Sequence, residues 1–102
     1  MGCESDSFDH HPPTGQGSLI VNNKTVDDLH VYISEHYTND VSDFDYEIYD
    51  LDPSVCRVVL DEKGGYRSYR GDIDVLEGQV TVLTVWRNPF STSEYDVDIH
   101  FE

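Results

Sequence analysis

The chain has 102 residues, enough for one domain around one core. Twenty-one acids against six bases give a formal charge of −15, which argues against nucleic acid and against electrostatic docking on anionic lipid, since both need Lys and Arg. No run approaches the ~20 apolar residues of a spanning helix, so contact with a membrane is expected only through a lipid anchor.

Residues 1–17 read as a disordered tether, polar and Pro/Gly-containing, with Phe8 as the one large apolar side chain. The folded domain is expected over 18–102, where apolar residues recur with a period of two. Strands are predicted near 18–23 and 29–34, the second with Leu29, Val31 and Ile33 facing in. A third, near 44–50, is expected to bury Phe44, Tyr46 and Ile48. The fourth, 55–61, should bury Cys56, Val58 and Leu60, and a fifth follows at 66–75. A sixth strand is predicted at 79–87, where the run from Val80 to Trp86 is apolar or β-branched on both faces, which suits a central strand. The last strand, 94–101, alternates most regularly, with Tyr95, Val97, Ile99 and Phe101 on its inner face.

Turn residues punctuate these segments at Asn22-Asn23-Lys24-Thr25, Leu51-Asp52-Pro53-Ser54, Glu62-Lys63-Gly64-Gly65, Glu77-Gly78 and Asn88-Pro89. The longest connection falls at 34–43, and no segment carries a helical period. The pattern predicts an all-β fold, a small two-sheet antiparallel β-sandwich of about seven strands, expected to be monomeric.

Gly17-Ser18-Leu19-Ile20-Val21, Val31-Tyr32-Ile33, Leu51-Asp52-Pro53, Gly65-Tyr66 and Val75-Leu76-Glu77-Gly78 occur in an order that resembles the PEGA domain. That is a small β-sandwich module of bacterial and archaeal envelope proteins. Ser54 stands where that family has Gly, and Ser34-Glu35 replaces its usual Asp-Gly turn. The resemblance implies an envelope location and supplies no catalytic residue. The start of the chain, Gly2-Cys3 followed by a polar Pro-containing stretch, resembles a mature bacterial lipoprotein whose signal peptide is replaced by Met1. That likeness implies acylation of Cys3 and a domain outside the cytoplasm; two or more acyl chains hold a protein stably.

For metals, the acid-rich stretch 35–50 offers Asp40, Asp43, Asp45 and Glu47 as calcium candidates, because calcium takes six to eight oxygens. Asp43, Asp45 and Glu47 stand at strand spacing, however, and an EF-hand starting at Asp43 would need Gly where Ile48 stands. The alternation marks a solvated acidic face. The histidines show no zinc spacing and are expected to face solvent. There is no nucleophile elbow and no phosphate-cradling glycine loop, so no catalytic residue and no cofactor are expected.

Under this alternation Tyr32, Tyr49, Tyr66, Tyr69 and Phe90 cannot all enter the core, so exposed aromatics are expected among them. Tyr66, Arg67, Tyr69 and Arg70 cluster in sequence, and Tyr and Arg are enriched at interface centres. Cys56 reads as a buried thiol acting as a small hydrophobe. The sequence therefore points to a non-catalytic, lipid-anchored envelope protein that displays a β-sandwich to an envelope protein or glycan. A calcium-dependent structural module is the alternative, and a small hydrolase comes third.

Overall fold

The computed structural model describes Phe8, residues 10–34 and residues 37–102. The expected all-β sandwich forms from eight strands: β1 Gly17–Asn23, β2 Leu29–Ile33, β3 Tyr37–Val41, β4 Tyr46–Leu51, β5 Ser54–Glu62, β6 Ser68–Val75, β7 Val80–Arg87 and β8 Tyr95–Phe101. Two four-stranded sheets result, in the orders β4-β1-β7-β8 (sheet A) and β3-β2-β5-β6 (sheet B). β1 and β7 run parallel, with Ile20 beside Val82. Every other pair of neighbours is antiparallel.

Strands of both sheets fill the space between them. Leu19 and Val21 of β1 and Leu83 and Val85 of β7 meet Leu29, Val31 and Ile33 of β2 and Cys56, Val58 and Leu60 of β5, all buried. Cys56 is a free, buried thiol. β3 lies within the connection expected to be a loop. It pairs with β2 from Leu29↔Val41 to Ile33↔Tyr37, because Val41 gives this acidic stretch one apolar side chain to bury.

Two expectations are corrected. The inner face of β4 carries Tyr49 and Leu51, not Phe44 and Tyr46, which are exposed. Burial pushes the Tyr49 phenol up to about 12, partly offset by a hydrogen bond with Asn39. The parity was ambiguous because the opposite face of this strand also meets apolar partners: Ile48 packs against Ile20, Val80 and Val82 on the outside of sheet A. A side-chain period of two leaves a face undecided when both sides can be covered.

The cover comes from the segment expected to be a disordered tether. Phe8 packs on the cluster of Ile20, Val80 and Val82, with its ring edge-on to Tyr46 at 4.8 Å. Its N–H donates to Glu102 Oε1 at 3.0 Å. His10 Nε2 lies 2.8 Å from Asp50 Oδ1, which also accepts from Ser18 Oγ at 2.5 Å. Burial works to raise the Asp50 pKa, but the Ser18 and His10 contacts outweigh it and hold the group below 3.8. The described part of the leader is thus a strap, and under it all seven residues of β1 are buried.

Candidate functional site

Chain direction brings four connections to one end of the sandwich: 24–28 after β1, 42–45 after β3, 63–67 after β5 and 88–94 after β7. Main-chain hydrogen bonds stitch them together. Phe44 N–H donates to Thr25 O at 3.2 Å, Lys63 N–H to Asp28 O at 3.0 Å, Lys24 N–H to Val85 O at 3.0 Å and Ser68 N–H to Ser93 O at 3.1 Å. Buried Asn23 joins the first two loops, since its Nδ2 donates to Asp27 O at 2.8 Å and to Ser42 O at 3.0 Å. Its Oδ1 accepts from the N–H and hydroxyl of Thr25, at 3.0 and 2.7 Å.

Beneath the loops lies a charged staple that the sequence reading missed. Buried Asp27 accepts from Arg87 through Nε at 3.0 Å and Nη2 at 2.5 Å, and from the Tyr95 hydroxyl at 3.0 Å. The Arg87 hydrogen bond dominates and holds the Asp27 carboxyl below its ordinary 3.8 despite burial. Burial first, and the Asp27 carboxylate second, push the Tyr95 phenol well above its usual range. Glu62 and Arg67 form a looser pair alongside, with the Arg67 N–H 3.2 Å from Glu62 Oε1 and Nη1 3.6 Å from it. Both Asp27 oxygens are engaged by donors, so the group acts as a structural tie between the 24–28 loop and β7–β8. No local sequence spacing signals it, because Asp27 and Arg87 lie sixty residues apart.

Above the staple each loop presents one large apolar side chain to solvent: Val26 (61% exposed), Phe44 (63%), Tyr66 (91%) and Phe90 (96%). Phe44 also takes φ = +55°, a left-handed conformation that costs a bulky residue ~1–2 kcal/mol. The loop end therefore offers four fixed apolar projections on a tied frame. Apolar side chains grouped at one end of a domain suit binding to another surface.

The structure separates the four residues expected to form an interaction surface. Tyr66 belongs to the loop end and Arg67 turns toward Glu62. Tyr69 packs against the core, and Arg70 points out from the bare face of sheet B. Of the aromatics that alternation cannot all place in the core, Phe90 and Tyr32 are exposed, whereas Tyr49 is core. Phe44 lies on the surface because the strand expected at 44–50 begins only at Tyr46, which leaves Phe44 in the preceding turn.

The calcium candidates diverge. Asp40 takes Lys63 Nζ at 2.9 Å and contacts His30; the Lys63 hydrogen bond leads in holding its pKa below 3.8. The Asp43 N–H donates to Asp28 Oδ1 at 3.1 Å, Asp45 Oδ1 accepts from the Tyr46 N–H at 2.8 Å, and Glu47 stands exposed on β4. Among the described residues no three His, Cys, Asp or Glu side chains are grouped to hold a metal ion. Cys3 lies outside the described residues.

No protein-family model matches this chain, and no curated protein matches it in sequence. Among solved structures it is similar to the N-terminal domain of AlgF from P. aeruginosa, at 16% identity and a TM-score of 0.65, over 88% of this chain and 96% of that domain. It is also similar to the C-terminal domain of AlgF, at 15% identity and a TM-score of 0.63, over 87% of this chain and all of that domain. Identity at this level speaks for the fold alone: the chain has the architecture of a whole AlgF domain.

Proposed function

We propose that this protein is a non-catalytic binding module of the bacterial cell envelope, anchored through lipid on Cys3, that engages an envelope protein or glycan with its loop end. The observation that carries the reading is the set of four exposed apolar side chains on four hydrogen-bonded loops. A mobile loop can hide such a residue by folding back. These loops are tied by main-chain bonds, so the exposure persists in the free protein and is relieved by a partner. The resemblance of the sequence to the PEGA domain supports the envelope location.

The strap sharpens the anchor. Phe8, on sheet A, follows Cys3 by five residues, so an acylated Cys3 holds the sandwich within about 17 Å of the bilayer. The domain then rides close to the membrane instead of on a long tether. The test is photo-crosslinking in cells, from a light-activated residue at position 66 or 90, with position 74 on sheet B as control. A shared adduct at 66 and 90 that is missing at 74 supports the reading; identical adducts at all three overturn it. Cys3→Ser, made with the native signal sequence, should release the protein from the membrane fraction, and unchanged fractionation rejects the anchor while leaving the loop-end reading standing.

A further inference from the structure

The two flanks of the sandwich close differently. On one side β3 passes directly into β4, joining the sheets through the 42–45 turn. On the other, β6 and β8 meet at the loop end, where Ser68 bridges Glu94. They then separate, because β6 crosses toward β1: a Cβ on Gly17 would sit 2.2 Å from the carbonyl oxygen of Leu76, so Gly is required there. The inner face of β8 records the divergence. Tyr95 is buried and Val97 packs on the core, but Ile99 is 46% exposed and Phe101 53%. Both point inward by register, opposite Leu83 and Thr81, yet sheet B does not cover them.

Among the described residues no strand pairs with the outer edge of this stretch either. In an antiparallel ladder alternate residues bond the neighbouring strand. The Glu102 N–H bonds Val80 O, which gives Asp96, Asp98 and His100 the inward-bonding parity. Val97, Ile99 and Phe101 therefore turn their N–H and C=O groups to the free edge. On the outer face the same edge carries Asp96 and Asp98, with His100 and Glu102 paired at 3.6 Å. These acids, on a chain of charge −15, disfavour pairing with a second copy.

We propose that the Val97–Phe101 edge of β8 is a strand-addition site for an extended segment of another protein in which apolar and basic residues alternate. Main-chain hydrogen bonds to Val97, Ile99 and Phe101 would give affinity. Apolar side chains of the added strand would complete the cover over Ile99 and Phe101, and its Lys or Arg side chains would face Asp96 and Asp98. This surface is separate from the loop end, and neither proposal depends on the other.

The test uses the whole chain and three short synthetic peptides: Lys and Val alternating, Glu and Val alternating, and the Lys/Val composition with its alternation destroyed. The alternating Lys/Val peptide is expected to bind, to protect the amides of Val97, Ile99 and Phe101 from exchange, and to weaken with salt. Ile99→Pro removes an N–H that faces the free edge and none that bonds β7, so the fold is kept and binding should fall about tenfold or more. Asp96→Lys with Asp98→Lys should reverse the preference toward the Glu/Val peptide, which keeps the test decisive if the proline variant fails to fold. Equal binding of the non-alternating peptide, indifference to these variants, no binding of any peptide, or dimerisation of the chain through this edge overturns the proposal.

Discussion

The outer faces of the two sheets are built on opposite principles. Outside sheet A, Ile20, Val80 and Val82 form an apolar cluster joined by Ile48 and capped by Phe8, so this half of the sandwich has a third layer. Outside sheet B, His30, Tyr32, Arg57, Val59, Arg70 and Asp72 stand in solvent or half-covered, with no described segment laid across them. Its order comes from lateral contacts: Arg57 Nε on Asp72 at 3.2 Å, Lys63 on Asp40, and His30 edge-on to Tyr32 at 5.0 Å. The comparison shows how a short chain with modest apolar content stabilises eight strands. It adds a strap where two central strands are apolar on both faces, and leaves charge where only one face is apolar. Exposed ion pairs of the second kind contribute little to stability.

The largest expected effect comes from placing one charge on each face. Val82→Asp puts an unpartnered carboxylate beneath the strap and should cost about 4 kcal/mol. Val59→Asp on sheet B should cost under about 1 kcal/mol. Urea unfolding of the two variants reads the difference, and similar losses would mean that the faces are equivalent after all.

The next contrast sets the buried staple against the bare-face ion pairs. Asp27→Ala leaves Arg87 and the buried Tyr95 hydroxyl without their acceptor and should cost about 2–3 kcal/mol. Asp72→Ala should leave the unfolding midpoint nearly unchanged. The staple also has a pH signature. Because the folded-state pKa of Asp27 lies below 3.8, its contribution is fully present above the unfolded value and is lost as pH falls through the lowered one. Acid titration of stability below about pH 4 should therefore lose a component in Asp27→Asn. An unchanged acid limb would remove Asp27 from the tie.

A smaller loss is expected from the strap itself. Phe8→Ala should destabilise by about 1–2 kcal/mol, since the ring is only half-buried, and should expose Ile20, Val80 and Val82 to a hydrophobic dye. Stability and dye binding both unchanged would mean that sheet A needs no cover.

This contrast also explains what could be read from the sequence. The alternation in β2 and β5 named the inner face correctly: His30 and Tyr32 face out on β2, and on β5 Arg57 and Asp61 share the outer face with Val55 and Val59 while Cys56, Val58 and Leu60 are buried. Residues 80–86 were legible as a central strand, since every position from Val80 to Val85 is buried. For β4 the reading failed, because the identity of the outer partner depends on Phe8, some forty residues away in sequence. In β8 the inner face was right, but the exposure of Ile99 and Phe101 depends on the path of β6, which no local pattern encodes. At the loop end Tyr66 and Phe90 were visible as surplus aromatics. The ties that fix them, from Asn23, Asp27 and Arg87, are tertiary and left no motif.

The smallest expected effect concerns calcium, and there the two faces give the reason. A calcium site must turn several oxygens toward one centre. Asp40 belongs to the bare face of sheet B, where it is already paired with Lys63 and in contact with His30. Asp45 faces its own strand's first N–H at the loop end, and Glu47 stands on β4 of sheet A, the other sheet of the sandwich. Gathering these groups would break the Asp40 contacts and bend the 42–45 turn away from Thr25. A genuine site would add about 2.7 kcal/mol at a hundredfold excess over its dissociation constant, several degrees in melting temperature. Screening of −15 charges would stabilise too, but equally in any salt of matched ionic strength. Melting in calcium chloride should therefore coincide with melting in magnesium chloride and in sodium chloride at equal ionic strength, for the native chain and for Asp43→Asn with Asp45→Asn. A calcium-specific rise that the double variant abolishes would show these carboxylates converging, and would restore the acidic stretch as a metal site.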